Sequence, residues 1–244
     1  MQGFDPDRGN PPRNPGLLKL IRAKRERHWK PSPEDLKRGF RGWHQRGYLP
    51  HFDAPDVRQF LTFQLADAFP VKRRGEWQSF LAENATSANR RKIEAWLDRG
   101  CGECWLRRPA AADAVQQTLR SGDGRNHRLL AWVIMPNHIH AVVQVGEIPL
   151  SRLIERWKGT TARRCNELLA RQGKFWQADY FDTLIRDESH LKRAIRYVEQ
   201  NPVKAGLATT TRQWRWSSAG FRDEYELLPP SNVDPPNQAN VIEH

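Results

Sequence analysis

Long apolar runs are missing from this chain of 244 residues. Mean hydropathy is -0.79, and no stretch approaches the roughly 18 consecutive apolar residues that a helical bilayer span requires. The first sixteen residues carry Pro6, Pro11, Pro12 and Pro15 among Gly, Asn and Asp. They lack the apolar centre of a secretory signal, so a cytoplasmic, nucleoid-associated protein with no membrane partner is expected. Cysteine is scarce, at three residues. An odd number cannot all pair, and Cys101 and Cys104 stand as C-G-E-C with no second pair or histidines at zinc-finger spacing. A redox site would want thioredoxin-like βαβ surroundings, so a structural turn with its thiols packed inward is the expectation. Acidic side chains are outnumbered, 28 against 40 basic ones, for a formal charge of +12. That balance favours a polyanionic partner, nucleic acid first, although a ribosome-associated or membrane-surface protein would share it.

What is present divides the chain into four stretches. Residues 1–16 read as a disordered leader. Residues 17–47 form a basic extension in which Trp29, Phe40 and Trp43 are interleaved with cations. That mixture suits single-stranded nucleic acid, where phosphates meet charge and bases stack on rings, and it suits equally a basic tail with its aromatics docked on the domain. A globular domain is expected over 48–221, and the acidic, Pro-rich 222–244 reads as a flexible tail. Within the domain, alternation predicts a strand over 57–66. Two helices are expected over 76–99, a third from Pro109, and over 128–145 either two strand segments split at Pro136 or one strand with a bulge there. A helix then runs from Pro149 or Leu150 to Gly173, a short strand covers 181–186, and a last helix over 188–200 is stopped by Asn201-Pro202. The order implies an α+β domain with a largely antiparallel sheet and helices mainly on one face.

His138-Ile139-His140 lies in a strand pattern, so both imidazoles share one face with Cα atoms about 6–7 Å apart, close enough to converge on one cation. An H-x-H pair alone is common and fits a solvated strand face as well. Tyr197 and Asn201 are spaced i, i+4 on the last helix and project from one side of it. Taken alone, Tyr197 reads as readily as a core or surface aromatic. If that side faces the histidine strand, Asn201 supplies an oxygen ligand and Tyr197 a phenol beside the metal. Mixed imidazole and amide-oxygen donors suit Mg2+ or Mn2+.

The segments MPNHIH (135–140), FWQADYFDTLIRDESHLKRAIRYVEQNPVKAGL (175–207) and WRWSS (214–218), in that order, resemble the REP-associated tyrosine transposases, single-tyrosine members of the HUH endonucleases. The resemblance runs from about Tyr48 to Phe221. It implies an HUH-type, ferredoxin/RRM-like sheet and a catalytic domain over 48–221. It also implies divalent-metal binding by His138 and His140, and a nucleophile at Tyr197, a few residues before an N-P-V-[KR]-[AH]-G segment. Asn201 would complete the metal site, where many relatives carry Gln. Tyr180 and Tyr225 compete as nucleophiles, but the residue four after Tyr180 is Leu184, so Tyr197 is preferred. The implied reaction is transesterification beside a REP-type DNA hairpin through a 5′-phosphotyrosine. Lys158, Arg163, Arg164 and Arg171 on one helix, and Arg186, Lys192, Arg193, Arg196 and Lys204 around the nucleophile, are candidate DNA contacts. Trp176 is expected in the core, and Trp214 and Trp216 are expected to anchor the tail. A monomer or homodimer is expected, the monomer favoured. Two other functions stay open: a domesticated hairpin-DNA-binding regulator without transposition, and a basic RNA-binding protein in which H-x-H is incidental.

Overall fold

The computed structural model describes residues 29–46, 49–68, 97 and 99–229. The leader, residues 17–28, and all of the helices expected over 76–99 except residues 97 and 99 lie outside the described residues. A short helix α1 (Pro33–Arg38) leads into a hairpin of β1 (Gly42–Arg46) and β2 (Leu49–Asp53). The main sheet is formed by β3 (Arg58–Gln64), β4 (His127–Ile134), β5 (His138–Val145) and β6 (Phe181–Leu184), in the order β4-β5-β3-β6 with every pair antiparallel. Helices α2 (Pro109–Arg120), α3 (Leu150–Leu168) and α4 (Glu188–Lys204) complete an α+β fold.

Alternation along the strands divides the core into two layers. Leu61, Phe63, Ile139, Ala141 and Val143 pack with Val115 and Leu119 of α2 and with Leu153 and Trp157 of α3. On the opposite face Phe60, Val133 and Val142 meet Ala194 and Val198 of α4. Because both faces are covered, β3 and β5 are buried at nearly every position, so polar residues on them are held in the interior. Pro136 sits in the turn between β4 and β5, where Met135 N–H donates to the His138 carbonyl.

Of the boundaries that differ from those read off the sequence, three bear on how the site is built. The β1–β2 hairpin straddles residue 48, and Phe40 is fully buried in the main core, so the domain reaches back into the basic extension. Helix α3 stops at Leu168, short of Gly173: Ala170 takes a left-handed conformation (φ 48°), and Arg171 N–H turns back to the Asn166 carbonyl. Helix α4 passes through Pro202 to Lys204. The proline removes one ladder bond, a net loss of about 1 kcal/mol. Burial of an apolar side chain in the same turn offsets that, since each Val-sized group contributes about 1.5–3 kcal/mol, and both Val198 and Pro202 are buried. The turn beyond is closed by Ala205 N–H to the Asn201 carbonyl and Leu207 N–H to the Pro202 carbonyl.

Candidate functional site

The two histidines open β5 on the face covered by α4. Strand pairing places Thr62 of β3 directly opposite His140, and its hydroxyl lies 2.8 Å from His140 Nδ1. His138 Nδ1 lies 2.8 Å from Asn137 Oδ1. With both Nδ1 atoms engaged, the Nε2 atoms face each other at 3.1 Å. Both rings are at most 1% exposed. Burial lowers the His138 pKa to about 3. Burial, with the neighbouring His138, holds His140 well below the usual imidazole value. Both rings are therefore neutral at neutral pH, the form that can ligate a metal.

Helix α4 brings the phenol to this pair. The Tyr197 ring stands edge-on to the His140 ring with centroids 5.4 Å apart, and Phe60 packs against both, at 5.7 Å from Tyr197 and 5.4 Å from His140. Lys204 Nζ sits 4.9 Å from the centre of the Tyr197 ring. One turn beyond Tyr197, Asn201 is 2% exposed, and its Oδ1 is buried without a hydrogen-bond partner among the described residues. An unsatisfied buried acceptor costs about 1–3 kcal/mol, which a cation would relieve. The Nε2 spacing also suits a metal: donors at right angles, each about 2.1 Å from an octahedral cation, lie about 3.0 Å apart. Among the described residues no three His, Cys, Asp or Glu side chains are grouped to share an ion, so a cation held here would draw on the two imidazoles and an oxygen donor such as Asn201 Oδ1. Such a neutral set leaves an anionic ligand to balance the cation's charge.

The other candidates fall into distinct places. Arg186, Lys192, Arg193, Arg196 and Lys204 are exposed on or beside α4, on the histidine side of the sheet. Arg163 and Arg164 are exposed on α3, behind the sheet. Lys158 is turned inward: its ammonium donates to the carbonyls of Gln177, Ala178 and Asp179 at 2.9, 3.1 and 2.8 Å. Arg171 donates to Asn166 Oδ1 and the Lys174 carbonyl. Tyr180 is buried against His51, with centroids 4.6 Å apart, and Tyr225 is exposed beyond the core. Trp176 is buried and donates to Thr161 Oγ1. Trp214 and Trp216 fasten the tail through the Ile134 carbonyl and Asp113. Thr62 and Asn137 were missed by sequence reasoning. Asn137 had a local signal, its place directly before H-x-H, whereas Thr62 reaches His140 only through a strand register that pairs residues 78 apart.

Residues 110–201 match the family model described as Transposase IS200 like. A Haemophilus influenzae protein assigned by name to the REP-associated tyrosine transposases is 28% identical over 111 residues, which cover 41% of this chain and 63% of the relative. A second, uncharacterized protein of that organism is 28% identical over 102 residues, covering 31% of this chain and 54% of the relative. The matches thus span less than two thirds of either curated relative. Among solved structures, a REP-associated tyrosine transposase bound to a REP hairpin aligns at 17% identity, with 82% of this chain and 94% of that chain covered and a TM-score of 0.45. A Deinococcus radiodurans protein assigned by name to the transposases aligns at 14% identity, covering 65% and 96%, with a TM-score of 0.29. This chain is similar to the REP-associated tyrosine transposases, and its stretch from α2 to Asn201 carries the match to the IS200-like transposase family.

Proposed function

We propose that the chain is a metal-dependent single-strand DNA endonuclease and strand transferase that cleaves beside REP-type hairpins through a 5′-phosphotyrosine. The observation that carries this reading is the contact between the Tyr197 ring and His140, whose Nε2 faces that of His138. His138, His140 and Asn201 would hold a divalent cation, Mg2+ or Mn2+. Such an ion, when bound, supplies Lewis-acid polarisation of the scissile phosphate.

The chain's own residues do the rest. The Tyr197 oxygen attacks phosphorus, the new P–O bond joins the 5′ side of the DNA to the phenol, and the P–O3′ bond breaks. The phenol proton passes to solvent and the departing 3′ oxygen takes one up, so a 3′-OH is freed. One phosphodiester replaces another, which leaves the step reversible and able to rejoin strands. Arg193, Arg196 and Lys204, on the same side of the sheet, would position the phosphate backbone.

The test uses the full chain, a hairpin DNA with a single-stranded flank, and Mn2+. We expect a nicked product and a protein–DNA adduct that survives denaturation. Tyr197→Phe is expected to abolish both while DNA affinity stays within about 2-fold, since only the nucleophilic oxygen is removed. Tight hairpin binding by the natural chain without any adduct would overturn the nuclease reading in favour of a hairpin-binding regulator.

A further inference from the structure

Asn137 has no role so far beyond its place in the turn, yet it is fully buried between the C-G-E-C turn and the proposed metal site. Its Nδ2 lies 3.0 Å from the Cys101 carbonyl. A carbonyl oxygen only accepts, so the carboxamide atom facing it is the nitrogen, which fixes the orientation of the amide. The other atom, Oδ1, then faces His138 Nδ1 at 2.8 Å. Oδ1 also only accepts, so His138 Nδ1 carries the hydrogen. A neutral imidazole has one N–H, which leaves the His138 Nε2 lone pair directed at His140.

His140 is held differently. Its Nδ1 partner is the Thr62 hydroxyl, which can donate or accept. His140 can therefore place its hydrogen on Nε2, donating to His138, or on Nδ1, donating to Thr62. The pair is asymmetric, with one ring fixed in its tautomer and the other able to change.

Resting on the nuclease reading above, we propose that Asn137 is a positioning residue: it locks His138 in the Nδ1–H tautomer that presents Nε2 to a divalent cation, with the Cys101 carbonyl as its anchor. Metal-ligating histidines owe orientation and tautomer to such partners, and loss of one lowers metal affinity about 10–100-fold. The C-G-E-C turn then has a use. Its backbone is fixed by left-handed conformations at Gly102 (φ 86°) and Cys104 (φ 51°). Glu103 N–H donates to Asp67 Oδ2, and Leu106 N–H to the Pro136 carbonyl. A Cβ at Gly102 would come within 2.7 Å of the Asp67 carbonyl oxygen, so the turn has little room to shift. What the motif contributes to the site is a carbonyl held in place, with no thiol chemistry required.

Two variants separate positioning from mere support of the turn. Asn137→Leu removes both hydrogen bonds. Asn137→Asp loses the donor to Cys101 but presents an oxygen to His138 in either orientation, so the anchor is no longer needed to select the facing atom, whereas a purely structural role would suffer in both. Mn2+ affinity is measured on the full chain by electron paramagnetic resonance, and the His138 tautomer on the metal-free chain by 15N NMR. We expect the natural chain and Asn137→Asp to hold His138 as Nδ1–H, and Asn137→Leu to become a mixture. Mn2+ affinity should fall about 10–100-fold in Asn137→Leu and stay within about 3-fold in Asn137→Asp. An equal fall in both variants, or an Nε2–H tautomer for His138 in the natural chain, would overturn the proposal. The second result needs no variant to fold. If the natural chain and His138→Ala bind Mn2+ equally poorly, the metal site itself fails, and the tautomer measurement still decides the role of Asn137.

Discussion

Burial and a neighbouring carboxylate set His138 and His51 to respond to pH in opposite directions. His138 is pushed down to about 3 by burial, so the unfolded chain takes up its proton first as pH falls. The stability this ring contributes is complete above the ordinary value of about 6.5 and is lost progressively as pH falls from there toward about 3. His51 is the reverse. Burial pulls it down, but the hydrogen bond and negative charge of Asp182, 2.5 Å away, outweigh that and raise it. Its contribution is complete below about 6.5 and lost as pH rises through the folded value. Imidazole NMR titration on the folded chain should find His138 neutral throughout the range above pH 5 and His51 still charged above 6.5. A His138 that titrates near 6.5 would mean that its ring is open to water. The residues that lend themselves to sequence reading here are those whose chemistry is local: H-x-H by alternation, and Tyr197 with Asn201 by helical spacing. Thr62 was not legible, because its partner is fixed by the β3–β5 register. The inward turn of Lys158 was not legible either, since a lysine on a helix gives no sign that three carbonyls of a following loop converge on it.

At the scale of elements, α4 matters most, because it carries both Tyr197 and Asn201 onto the histidine face. Its end was misplaced in the sequence reading for a definable reason: Pro202 removes one hydrogen bond, and propensity has no knowledge of the burial that compensates. The helix is also tied to the C-terminal segment. Glu199 accepts from Ser218 Oγ and from Arg222 Nε, at 2.5 and 2.7 Å, and Arg222 reaches the Leu130 carbonyl. Both ends of this ion pair are largely buried, with side chains 8% and 12% exposed. Glu199→Ala should therefore leave an unpaired buried guanidinium and cost about 3–5 kcal/mol in urea unfolding. A loss under about 1 kcal/mol would show that the pair is solvated. At the C-G-E-C turn, Gly102→Ala meets both a left-handed backbone and the Asp67 carbonyl. It should destabilise the chain by more than about 1 kcal/mol, again by urea unfolding, whereas substitution at exposed Gly124, with nothing within 4 Å of an added Cβ, carries only the backbone part of that cost.

The whole molecule carries a formal charge of +12, but the sheet divides its candidate DNA contacts into two faces. Arg193, Arg196 and Lys204 share the histidine side, whereas Arg163 and Arg164 lie behind it. Composition points to a polyanionic partner and could not give this division, which follows from which helix covers which face. If DNA runs over α4, removing Arg193 or Arg196 should weaken hairpin binding and reduce the salt slope by about 1 per lost phosphate contact. Arg163→Ala and Arg164→Ala should leave the slope unchanged. Equal effects on both faces would mean that the DNA wraps the domain.

If the phenol beside the imidazole pair is the nucleophile, the bond it forms with DNA can be located by peptide mapping. The chain is reacted with hairpin DNA and Mn2+, digested with nuclease and trypsin, and the modified peptide is read by mass spectrometry. Cleavage after Arg196 and Lys204 gives a peptide that begins with Tyr197 and contains Asn201. Nucleotide is expected on that peptide, at Tyr197. Nucleotide on the 175–186 peptide, which contains Tyr180, would contradict that assignment.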